Sequence, residues 1–73
     1  MAKPEHTYIR GFWDRLEEEI YKYGISKAEL ARRCRFERKV LSDKRSMYLP
    51  YFARICAELH VSADYLLFGK KNE

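Results

Sequence analysis

Eight basic side chains crowd one stretch of the 73-residue chain: Lys27, Arg32, Arg33, Arg35, Arg38, Lys39, Lys44 and Arg45. Only Glu29, Glu37 and Asp43 offset them, so the stretch carries +5 while the whole chain carries +4. Everything outside it is close to neutral. A basic segment on a near-neutral protein is the electrostatic footprint of a polyanion binder. The same pattern also describes a solvated face that only keeps the protein in solution. Charge alone divides evenly between the two.

The other reactive side chains assemble no chemistry. Glu17, Glu18 and Glu19 are consecutive on one helical segment and diverge, so they do not pair for acid–base work. Cys34 and Cys56 each fall on an apolar helical stripe, which makes them small buried hydrophobes rather than metal ligands or redox partners. His6 lies near the start of the chain, and His60 falls at a helix C-terminus, where an imidazolium suits the dipole. Neither has a Cys or His at metal-ligand spacing. Trp13 reads as core. A chain this short buries only about 60% of the surface its unfolded form exposes, which leaves little room for a deep pocket. The expectation is no enzyme, no metal, no cofactor and no small-molecule substrate.

Composition bounds the rest. A 47% hydrophobic and 15% aromatic content excludes a disordered chain. Two cysteines are too few for a disulfide scaffold. No apolar run approaches a membrane span, and no apolar run follows Met1 to His6, so neither a membrane partner nor a signal peptide is expected. The expectation is a single cytoplasmic domain at 8–69, with an N-terminal arm at 1–7 and a tail at 70–73.

The elements that must position the basic stretch are helical. Ile9, Phe12, Trp13, Leu16, Ile20 and Tyr23 step by three and four, with Thr7 as cap and Gly24 as stop. Ser26 to Glu29 reads as a capping box, with Ile25 and Leu30 as its hydrophobic staple. Leu30, Ala31 and Cys34 face inward on this second helix. The pattern breaks at Arg35-Phe36, with Phe36 as an inward anchor, and a third helix runs from about Glu37 to Lys44. Pro50 starts a fourth helix with Phe52, Ile55, Cys56 and Leu59 inward. Ser62 caps a fifth that ends at Gly69. No segment alternates with period two, so the fold class is all-α with five helices.

The run Ile25-Ser26-Lys27-Ala28-Glu29-Leu30-Ala31-Arg32-Arg33-Cys34 resembles the opening of the phage-repressor family, the Cro-like or lambda-repressor-like helix-turn-helix proteins. The run from Ile55 to Gly69 is similar to that family's closing helices. The resemblance spans about residues 9 to 69 and implies a compact five-helix lambda-repressor-like DNA-binding domain. It makes the third helix the recognition helix, with Glu37, Arg38, Lys39, Ser42 and Asp43 on its outer face toward the major groove. Lys27 matches a phosphate-contacting position, and Lys44 and Arg45 close the basic stretch. Tyr48, Leu49 and Tyr51 read either as core or as packing on sugar and phosphate. Arg35 stands where the family has a turn glycine, so it must take a left-handed conformation or change the turn.

On that resemblance the chain is expected to be a sequence-specific transcription regulator, a repressor of phage or mobile-element type acting on double-stranded DNA. A single small module supplies limited contact area, so a weak homodimer is expected. The run Tyr65-Leu66-Leu67-Phe68 is its expected interface, and the segment around Tyr8 and Phe12 is the fallback. The alternative is a protein-interaction module, antitoxin-like or anti-repressor, that keeps the fold without specific DNA binding. Arg35, Lys44 and the acids among the outer-face residues motivate it.

Overall fold

A computed structural model of the chain describes residues 9–44 and 47–70. Five helices follow in order: α1 Phe12–Tyr23, α2 Lys27–Cys34, α3 Lys39–Asp43, α4 Leu49–Leu59 and α5 Ala63–Phe68. There is no strand among the described residues. The all-α, five-helix architecture is the one that the apolar spacing implies.

Each helix sends one side chain to the centre. Leu16, Leu30, Leu41, Ile55 and Leu66 are the largest fully buried residues, and each comes from a different helix. Phe12 and Ile20 extend this core along α1, Ala31 and Cys34 along α2, and Phe52 and Leu59 along α4. α2 packs on α4, and α1 packs on both α4 and α5. Phe12 meets Phe52 with ring centroids 5.8 Å apart.

Local chemistry sets most of the helix ends. The Ser26 hydroxyl accepts from the Glu29 amide at 3.0 Å and the Ser62 hydroxyl from the Tyr65 amide at 3.0 Å, each satisfying an amide that the helix cannot. All five helices stop on a left-handed residue. Gly24 and Gly69 supply two of these stops, but Arg35 (φ 66°), Lys44 (φ 55°) and His60 (φ 57°) supply the others. Behind Arg35 the turn is a Schellman motif. The Arg35 amide donates to the Arg32 carbonyl at 3.2 Å, and the Phe36 amide to the Ala31 carbonyl at 3.0 Å.

Three expectations change. α1 begins only at Phe12, because Gly11 sits before it at φ 78°, and Ile9 is left exposed ahead of the helix. Thr7 lies outside the described residues. α3 has five residues rather than eight, because left-handed turns bracket it at Arg35 and Lys44. The surplus expected at Tyr65–Phe68 is mostly used inside: Leu66 is buried, Tyr65 and Leu67 pack on the core, and Phe68 alone of the four is exposed, at 64%. The fallback interface loses Phe12, which is buried, and Tyr8 lies outside the described residues.

Arg15 closes the two ends of the fold on each other. Its Nε donates to the Leu66 carbonyl at 3.0 Å, and its Nη2 to the carbonyls of Leu67 at 2.9 Å and Arg10 at 3.1 Å. The guanidinium thus takes up carbonyls that the last turn of α5 leaves open.

Candidate functional site

The basic stretch forms α2, the turn after it, and α3, and the structure divides its cations into two groups. The first group is paired within the chain. Lys27 Nζ lies 2.7 Å from Glu17 Oε2, and Lys44 Nζ lies 2.8 Å from the same oxygen. Glu17 on α1 therefore ties the start of α2 to the end of α3. Arg32 Nε donates to Glu29 Oε1 at 3.1 Å, and Arg33 bonds Glu29 Oε2 and Glu58 Oε2, each at 2.9 Å. Glu29 consequently spends its carboxylate on arginines rather than reaching back to Ser26, so only half of the capping box forms.

These pairs shift the titrating groups in the expected directions. Hydrogen bonds from Lys27 and then Lys44 hold the Glu17 carboxyl below its ordinary range. Glu17 in turn raises the Lys44 ammonium. Arg32 and then Arg33 lower Glu29. Burial raises both cysteine thiols, Cys34 and Cys56, above their ordinary range. No group of three or more His, Cys, Asp and Glu side chains is placed to hold a metal among the described residues.

A pH prediction follows from Glu17. A carboxyl with a depressed folded pKa binds more protons when unfolded, so its stabilisation is present above the ordinary carboxylate range. It is lost as pH falls through the depressed value. Glu17→Gln should lower the melting temperature by about 2–4 °C at neutral pH, because exposed pairs are individually weak. The gap between wild type and variant should close as pH falls through the depressed value, and shrink in high salt. Thermal melts across pH test this; a gap that stays constant down to the acid limit would show that the pairs contribute nothing.

The second group is Arg35, Arg38 and Lys39. All three are exposed, and none has an ion-pair partner among the described residues. Arg35 borders a surface groove of about 450 Å³ between α2, α3 and α4, and Arg38 and Lys39 follow it in sequence. Ala31, Phe36, Val40 and Tyr51 give its apolar surface; Arg32, Arg35 and Glu37 give its polar edge. Phe36 stacks at 4.7 Å on Tyr51, and Tyr51 meets Tyr48 edge-on at 4.9 Å, so three rings run in a strip from the groove outward. Tyr48 is 62% exposed and Leu49 beside it 72%. Arg54 lies over the Tyr51 ring at 5.9 Å while its Nη1 bonds the Cys34 carbonyl at 3.1 Å.

The described cations among the residues expected to contact DNA thus divide between the paired and the unpaired group. Lys27 and Lys44 are drawn to Glu17, whose charge opposes a phosphate at that place. Glu37 and Arg38 precede α3 instead of belonging to it, and Glu37 edges the groove. Lys39, Ser42 and Asp43 are exposed on α3, and Arg45 lies outside the described residues. Two contributors escaped the sequence reading, Arg54 and the continuous ring strip. The signal was present in the spacing: Tyr48, Tyr51 and Arg54 recur every third residue, which puts them on one helix face.

No helix among the described residues is long and apolar enough to cross a membrane. No match was found among curated proteins or among solved structures. The model of the family described as URI fold toxin 2 matches residues 2–60, which takes in α1 to α4 and the whole basic stretch. That finding overturns the phage-repressor assignment, and with it the reading as a transcriptional repressor. The likeness in Ile25–Cys34 reflects a capped, alanine-tight helix pair, which serves packing in any small helical domain. By this match the chain belongs to the URI fold toxin 2 family.

Proposed function

We propose that the chain is a protein-interaction module of a toxin system, docking another protein rather than reading DNA by sequence. One observation carries the reading. Lys27, the cation placed for phosphate contact, is satisfied by Glu17, as is Lys44, whereas Arg35 on the edge of a partly apolar groove, and Arg38 and Lys39 after it, have no ion-pair partner among the described residues. Phosphate binding needs a run of uncommitted cations, and base reading needs a helix that presents several side chains to one groove. A five-residue α3 that follows Glu37 and ends in Asp43 presents few side chains for base reading, and these acids oppose a phosphate. Apolar area beside isolated charges is the anatomy of a protein–protein contact. The family's name supports the toxin setting.

The test is selection from a random duplex DNA library. The expected result is retention at low salt only, with no shared sequence among the retained duplexes. Recovery of a defined sequence that survives raised salt would overturn the reading.

A further inference from the structure

We infer that the groove between α2, α3 and α4 is the docking site for an acidic segment of a partner protein, anchored by an apolar side chain. The inference rests on the protein-interaction reading and names the partner chemistry. The groove's volume of about 450 Å³ exceeds what one methyl or hydroxyl group would occupy, and its floor is Ala31, Phe36, Val40 and Tyr51. The apolar part of this lining gains by being covered with carbon. The ring strip continues this surface outward to Tyr48 and Leu49, both largely exposed. An apolar anchor entering at Val40 has room to continue along the rings.

Charge fixes the sign of the segment. Arg35 stands on the edge, with Arg38 and Lys39 following in sequence, and none of the three is neutralised among the described residues. Arg32 also edges the groove but is held by Glu29. Glu37 is the one acid on the edge, and it repels a carboxylate from that side. The segment's carboxylates must therefore lie toward Arg35, which gives the docked chain a direction. The backbone at Arg35 supports a role for its side chain. It holds a left-handed conformation where glycine fits without strain, and the guanidinium has no ion-pair partner among the described residues to offset that strain.

The experiment uses a display library of random-sequence peptides on the whole chain. The expected yield is peptides that combine carboxylates with a large apolar residue. Arg35→Asn, which tolerates the same left-handed backbone, should weaken those peptides about tenfold, and Arg38→Gln with Lys39→Gln should add to the loss. Lys27→Ala should leave their affinity unchanged, and circular dichroism should show every variant folded. Enriched peptides that are basic, or that bind Arg35→Asn as well as wild type, would overturn the inference while leaving a protein partner intact. No enrichment at all would count against the groove. No enrichment together with a defined DNA sequence from the duplex library would overturn both.

Discussion

Leu41→Ala should cost about 2–5 kcal/mol, a large loss for a single truncation. Leu41 is 1% exposed and is the only buried residue of α3. Five residues cannot form a stable helix alone, since nucleation costs more than so short a run returns. α3 therefore stands because Leu41 is anchored among Leu16, Leu30, Ile55 and Leu66. A domain of 73 residues has a total stability of roughly 4–11 kcal/mol, so this one truncation removes a large share of it. Denaturant titration should show the midpoint falling sharply. The groove should fail with it, because Val40 and the turn before α3 lose their support. A loss under about 1 kcal/mol would mean that the core closes without α3.

Arg15→Ala should cost about 2–4 kcal/mol, because it strips three carbonyls of a charged donor. Two of those carbonyls, Leu66 and Leu67, end α5, and the third, Arg10, precedes α1. The bonds to Leu66 and Leu67 join positions about fifty residues apart, so their loss frees both ends of the fold together. Arg15→Lys should recover only part of the stability, since one ammonium cannot span the carbonyls that a guanidinium fork reaches. Gly11 belongs to the same arrangement, because a side chain there would collide with the Arg15 guanidinium. Amide exchange should accelerate throughout α5 in Arg15→Ala while the α2 core stays protected. Unchanged protection in α5 would assign its docking to Leu66 alone.

What the sequence displayed and what it hid divide along the range of the interactions. Ser26 and Ser62 were readable as caps because a hydroxyl meets an amide three residues on, a purely local event. Leu30, Ala31, Leu41 and Ile55 were readable as core because helical period alone orients them. The start of α1 was misread because Gly11 interrupts an apolar spacing that continues through it. Glu17 was hidden among three consecutive glutamates. Nothing local says that this one meets Lys27 and Lys44, ten and twenty-seven residues away. The sequence therefore offered Lys27 to phosphate and left Lys44 only as part of the basic stretch. Arg35 was readable as a left-handed residue or a changed turn, and the first of these holds. The family was misassigned because a capped helix pair with a small residue at the crossing fits many small helical domains.

Amide shift mapping tests the central claim most directly: this chain engages a protein segment through its groove and does not read DNA. Isotope-labelled protein is titrated with a peptide enriched on it and, separately, with a random duplex. The account predicts saturable shifts at Ala31, Arg35, Phe36, Val40 and Tyr51 with the peptide. With the duplex it predicts small, non-saturating shifts that vanish as salt is raised. Saturable, salt-resistant duplex shifts centred on Lys39, Ser42 and Asp43, with the groove residues unmoved by the peptide, would contradict it.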